Sequence, residues 1–270
     1  MPRLCQAARW SAGYTLVIDV SLGGEMFHRM ITVLCALFGL LAWTTSMAAD
    51  LRIAVLENAP PMAFRGADGQ LTGFTIEIAR ALCVELKTEC SFHPRTLNVA
   101  LDELVAGEID VAAISLLETP ERRARFLFAK PYFRSVTLWF ARQGVVPGQR
   151  GVRVAVLSGS AQERFARARS WDTVAVRTNG ELVEPLRAGI AQAALIPMGT
   201  GVGLMQNEQF RALGLVKMVM KDEELGGDVA FGIAPRRPEL KAPLDGALDR
   251  IKRNGTYDRI NSQFLPLRVD

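Results

Sequence analysis

Apolar and polar positions alternate along this chain with two different periods, and the alternation is written twice. Residues 51–56 form an apolar run interrupted only by Arg52, which predicts a strand. Asn58-Ala59-Pro60-Pro61 breaks the run, and Gly66-Ala67-Asp68-Gly69 predicts a turn. From there apolar residues fall at Phe74, Ile78, Leu82 and Leu86, the four-residue step of one helix face, so a helix is expected against a sheet. Leu101, Leu104 and Val105 predict a short helix stopped by Gly107, and residues 109–114 then form an apolar run with the single charge Asp110. About 80 residues later Leu186-Arg187-Ala188-Gly189 leads into residues 190–196, the same phrase of helix, glycine and strand.

Two copies of such a unit predict two similar α/β lobes rather than one large sheet. Residues 136–141 are extended and aromatic, and residues 143–151 carry the glycines and proline of a connector. Residues 229–234 would bring the chain back. The expected division is 50–140 for the first part of lobe one, 141–232 for lobe two and 233–270 for the return to lobe one.

Residues 26–49 have a different character. His28 and Arg29 are followed by an apolar stretch over 31–43 and small residues over 44–49, the pattern of a secretory signal cut after Ala48 or Ala49. The stretch is shorter than the roughly 20 residues that span hydrocarbon. Residues 1–25 ahead of it carry no recognisable role and are expected to be an over-extended start.

Composition narrows the function. With 32 basic against 28 acidic residues the charge excess is small, and the densest basic run, Arg122-Arg123-Ala124-Arg125, is short and flanked by Glu121. Nucleic acid is therefore not expected as a partner. The only histidines are His28, in the leader, and His93, in the strand-ending Phe92-His93-Pro94. A two-histidine zinc site is excluded, and neither a metal nor a cofactor is expected. Cys5 and Cys35 leave with the leader, and Thr32-Val33-Leu34-Cys35 lacks the small residue a lipid-attachment cysteine needs. Cys83 and Cys90 remain, and an oxidising compartment favours a local disulfide between them.

In open α/β sheets ligands gather beyond the carboxyl ends of the strands. Beyond the strand at 109–114 comes Ser115-Leu116-Leu117-Glu118, then Thr119-Pro120-Glu121-Arg122, a helix start with Thr119 as N-cap and proline in its first position. The helix dipole disfavours a cation in that first turn, which makes Arg122 a candidate anion clamp; the competing reading is a surface arginine paired with Glu118 or Glu121. In the second lobe, residues 152–157 predict a strand, and Ser160-Ala161-Gln162-Glu163 opens a helix with a capping box. Its amides either hold an anion or carbonyl or simply cap the helix. Gly199-Thr200-Gly201-Val202-Gly203 lacks the lysine of a phosphate loop and is expected to be a flexible turn.

Taken in order, several phrases resemble the family 3 solute-binding proteins, the periplasmic receptors of ABC transporters for polar amino acids. They are Leu51-Arg52-Ile53-Ala54-Val55, Pro60-Pro61-Met62, Gly69-Gln70-Leu71-Thr72-Gly73-Phe74, Ala106-Gly107-Glu108-Ile109-Asp110, Thr119-Pro120-Glu121-Arg122, Lys130-Pro131-Tyr132-Phe133 and Asn254-Gly255-Thr256-Tyr257. The resemblance covers roughly residues 51–265. It implies a type II periplasmic-binding-protein fold, with a cleft between two lobes joined by two crossing strands, and an arginine at the place of Arg122 gripping a carboxylate. The pair Cys83 and Cys90 is similar to one that forms a disulfide in histidine- and lysine/arginine/ornithine-binding members. A monomer that hands a small solute to a membrane permease is implied as well.

The departures from that pattern bear on the ligand. Where the family places an acidic residue for the ligand ammonium, just after the second-lobe strand, this chain has Pro197. The stacking aromatic of the first loop is replaced near Ala59, the acid before it by Leu56 with Glu57 adjacent, a hydroxyl-bearing residue by Leu117 and a threonine by Ala161. The expected pocket comprises Arg122, Ser115, Leu117, Glu57, Met62, Ser160, Ala161, Gln162 and Pro197, with Met198 nearby, and suits an anion carrying an apolar body. The leading expectation is a non-enzymatic receptor for a small polar or anionic solute of the amino-acid or carboxylate class. The alternative is an accessory protein on the same scaffold that holds a periplasmic protein such as a quinoprotein dehydrogenase.

Overall fold

The computed structural model describes residues 50–269, so the expected over-extended start at 1–25 and the expected signal at 26–49 lie outside the described residues. The chain first lays down β1 (Leu51–Leu56), the short hairpin β2 (Phe64–Arg65) and β3 (Leu71–Thr72), helix α1 (Phe74–Leu86), β4 (Cys90–Arg95), α2 (Leu97–Ala106) and β5 (Val111–Leu117). A single helical turn, α3 (Pro120–Arg123), precedes β6 (Leu127–Phe128) and β7 (Phe133–Ser135). The second region runs through β8 (Thr137–Ala141), β9 (Arg153–Leu157), α4 (Ala161–Ala168), β10 (Asp172–Val176), α5 (Val183–Arg187), β11 (Ala193–Pro197), α6 (Met198–Gln206), α7 (Glu208–Arg211) and β12 (Val216–Val219). The chain then returns as β13 (Gly227–Ile233), α8 (Lys241–Arg253) and α9 (Thr256–Phe264).

These elements make two sheets of the same plan. In the first, β1 lies parallel between β4 and β5, and in the second β9 lies parallel between β10 and β11. Each parallel trio is extended by an antiparallel strand, β13 on β5 and β8 on β11. The repeated phrase in the sequence is therefore a structural repeat, and Gly107 and Gly189 both end their helices at positive φ, 78° and 69°.

The exchange of chain between sheets comes earlier than expected at both crossings. The segment at 137–141 is a fully buried strand of the second sheet and 227–233 belongs to the first, so the crossings fall at 135–137 and 225–227 rather than near 141 and 232. The physical reason is hydrogen-bond completion. A strand as apolar as Thr-Leu-Trp-Phe-Ala is stable only with neighbours on both edges, and β11 and β12 supply them.

Each sheet is packed on both faces. On the first, α1, α8 and α9 bury Phe74, Ile78, Leu82, Leu248 and Tyr257 on one side, while Leu97, Leu101, Leu104 and Phe126 fill the other. Asp110, the one charge of its strand motif, is buried and gripped by Arg52 (3.0 Å) and Arg237 (2.7 Å), which fastens the return segment to lobe one. The disulfide joins Cys83 in α1 to Cys90 at the start of β4. Among the described residues no helix is long and apolar enough to cross a membrane.

Candidate functional site

The carboxyl ends of the central strands of both sheets meet around one cavity of about 70 Å³. Lobe one contributes Leu56, Met62, Thr75, Ser115, Leu117 and Arg122; lobe two contributes Leu157, Ser160, Ala161, Gln162, Asn179, Pro197 and Thr200. Eight of the nine binding residues expected from sequence thus share one lining. Among the described residues Arg122 is its only charged member.

Arg122 is 3% exposed. Thr119 caps α3 by accepting the Arg122 amide (3.3 Å), as its N-cap position predicts. The guanidinium Nη1 donates to the Leu117 carbonyl (3.0 Å), and Nη2 reaches the Gly159 carbonyl of the opposite lobe (3.4 Å). Its Nε is buried without a partner. Neither acid offered by the surface-arginine reading takes it, for Glu118 pairs with Arg123 (2.6 Å) and Glu121 crosses to Arg164 of lobe two (2.6 Å). Burial, reinforced by the charge of Arg164, pushes the Arg122 guanidinium down to about 9. Because α3 is a single turn, its dipole is weak, and desolvation is what strains this cation.

Behind Arg122, Ser115 is held rather than free. Its hydroxyl lies 3.1 Å from both the Thr75 hydroxyl and the Tyr132 phenol, and burial pushes that phenol up to about 12, so it stays a neutral hydrogen-bonding group.

On the facing wall, the first turn of α4 presents amides that have no carbonyl partner within a helix. The Ser160 hydroxyl accepts the Glu163 amide (3.0 Å), while the Glu163 carboxylate reaches back to the Gly159 amide (2.7 Å), one residue earlier than a standard capping box. Gln162 lines the cavity, yet its Nε2 donates to Thr137 (2.8 Å), whose hydroxyl donates to the Leu225 carbonyl (2.7 Å). One side chain of the pocket is thereby tied to both crossings between the lobes.

Two expectations are corrected. Glu57 is exposed and lies outside the cavity, in a shallow space with Asn58, Arg95 and Arg177. It follows Leu56, which faces the cavity, and alternation at the end of a strand turns consecutive side chains to opposite sides. The Gly199–Gly203 stretch is helix α6 rather than a flexible turn. Its glycines permit close approach of the lobes: a Cβ on Gly199 would touch Met62 Sδ at 3.1 Å, and one on Gly203 would collide with the Pro60 carbonyl. Sequence reasoning also missed Asn179 and Thr200, buried polar residues of the lining. Thr200 lies within the glycine-rich stretch expected to be a turn, and only strand-end position within lobe two could have pointed to Asn179.

Residues 51–266 match the model of bacterial extracellular solute-binding proteins, family 3. An L-arginine-binding protein of Pseudomonas aeruginosa is 26% identical over 87% of this chain and 97% of its own length. The lysine/arginine/ornithine-binding periplasmic protein of Escherichia coli is 25% identical over 89% and 98%. Among solved structures, an ancestral arginine-binding protein bound to arginine superposes with a TM-score of 0.71 at 23% identity, over 81% of this chain and 99% of that one.

Proposed function

Because this chain belongs to the bacterial extracellular solute-binding proteins of family 3, we propose that it is a periplasmic receptor that closes on a small carboxylate-bearing solute and delivers it to an ABC-type importer. The observation that carries the reading is Arg122, the sole charge of the lining, buried with one guanidinium nitrogen unpartnered. A carboxylate seated against it would relieve the cost of the buried cation and find the first-turn amides of α4 across the gap.

The relatives named for arginine or for lysine, arginine and ornithine take ligands that carry positive charge. Here no carboxylate lines the cavity to receive one, since Pro197 stands after β11 and Glu57 lies outside. A buried ammonium without a partner costs several kcal/mol. The lining also lacks histidine and cysteine, which supports binding over catalysis. The accessory reading, in which the cleft holds a periplasmic protein, is less well supported because the cavity is bounded by both lobes and holds a buried charge.

Calorimetric titration with short monocarboxylates, arginine and lysine tests the assignment. Carboxylates are expected to bind, basic amino acids to bind weakly or not at all, and Arg122→Gln to weaken carboxylates by about 10- to 100-fold. Tight binding of lysine, or an Arg122→Gln protein that binds carboxylates unchanged, would falsify it.

A further inference from the structure

Asn179 is 5% exposed and opens the 3-10 turn Asn179–Leu182 that follows β10. It lines the cavity, and its Oδ1 is buried with no hydrogen-bond partner. Of the other polar side chains of this wall, Gln162 is engaged with Thr137 and Ser160 with the Glu163 amide, while Thr200 also lines the cavity. Buried amide oxygens in native proteins are almost always paired, so an orphan at a binding cavity points to a donor that arrives with the ligand. Two residues of the lining, one from each lobe, therefore each carry a buried side-chain atom without a partner: a charged donor, Arg122 Nε, and a neutral acceptor, Asn179 Oδ1.

We propose that Asn179 reads a neutral hydrogen-bond donor on the solute, so that the site selects short hydroxycarboxylates over amino acids of the same skeleton. This rests on Arg122 holding the carboxylate. A solute of charge −1 neutralises the only charged residue of the lining. A hydroxyl then donates to Asn179 without bringing further charge, whereas an ammonium adds a cation that no carboxylate of the lining offsets. A plain carboxylate fits the charge but leaves the Asn179 oxygen unpaired. A three-carbon skeleton isolates the choice, because a hydroxyl, a hydrogen or an ammonium can stand on the carbon beside the carboxylate.

L-lactate, propionate and L-alanine share that skeleton and differ only in hydroxyl, hydrogen or ammonium at the second carbon. Titrated calorimetrically into the purified full chain, lactate is expected to bind at least about tenfold more tightly than either of the others. Asn179→Leu should bring lactate to within about twofold of propionate, with propionate itself little changed. Asn179→Asp should invert the order, since it supplies the anion an ammonium needs, and alanine should gain about tenfold over its wild-type affinity. Thermal melts of each variant establish that it is folded. Equal wild-type affinities for lactate and propionate, or a preference for lactate that survives Asn179→Leu, overturn the role of Asn179 and leave the Arg122 assignment standing. Alanine binding more tightly than lactate overturns the charge argument, and no binding of any of the three overturns both readings together.

Discussion

On the lobe-one wall of the cavity the polar groups are held chiefly by their own lobe: Arg122 by the Leu117 carbonyl, with a longer bond to the Gly159 carbonyl across the gap, and Ser115 by Thr75 and Tyr132. Across the gap, lobe two presents neutral groups and small residues, with Gln162 anchored to the crossings, Asn179 unsatisfied, and glycines where lobe one comes closest. The two walls descend from the same sheet plan and differ in chemistry. One wall holds a desolvated charge whose position is set before any ligand arrives. The other can approach it closely because it carries little bulk and lines the cavity with no charge of its own, which places discrimination on lobe two and attraction on lobe one.

The sharpest way to break this division is to thicken the lobe-two face. Gly203→Leu puts a side chain where the Pro60 carbonyl stands and should lower carboxylate affinity by on the order of 100-fold or more, because the lobes could no longer meet. The melting temperature should change little, and solution scattering should show a wider protein in the presence of solute. Retained affinity would show that closure does not use this contact.

A second contrast is covalent, since lobe one carries the disulfide and residues 137–225 contain no cysteine. Replacing Cys83 and Cys90 by serine should cost about 2 kcal/mol of stability by the loop-closure argument, measured by denaturant titration. Carboxylate affinity should stay within about twofold, because the bridge lies between α1 and β4, away from the cavity. A large loss of affinity would mean that the disulfide positions the Arg122 wall.

Giving lobe two a charge tests the asymmetry directly. Pro197→Asp places a carboxylate at the end of β11, where an aspartate can also cap α6, and should raise L-alanine affinity by about tenfold in calorimetry. No gain would show that this position does not reach the ligand.

The smallest expected effect is on pH. The folded Arg122 lies below its unfolded value, so its charged form costs stability that is fully present below about 9 and is recovered as pH rises toward the ordinary range of a solvated arginine. An anion relieves that cost only while the guanidinium is charged. Carboxylate affinity should be flat between pH 6 and 8 and fall by about half on reaching pH 9, with a second loss below about pH 4 as the carboxylate itself protonates. Affinity independent of pH up to 10 would show that burial does not depress the Arg122 guanidinium, whose place in the site is tested by Arg122→Gln.

The elements of the fold were legible because each is encoded locally. The four-residue step from Phe74 to Leu86 gives α1 over its observed length, Thr119 and Ser160 cap the helices they precede, and Gly107 and Gly189 mark the two copies of one phrase. The crossings were legible only approximately, since an apolar strand states that it is buried without stating in which sheet. Helix α6 ran against its own composition. Three glycines predict a turn, and the helix is held by packing in lobe two and by the approach of the Pro60–Met62 loop.

The sequence by itself determined the two-lobed plan, the disulfide partners and the residue types at the strand ends, because periodicity, capping and spacing act over a few residues. Tertiary structure alone decided that Arg122 enters the cavity without an acid, that Glu57 is turned away from it, and that Asn179 stands there with an unused oxygen. Those outcomes depend on which groups from distant segments share a desolvated space, and pairing and burial are properties of that space rather than of any one segment.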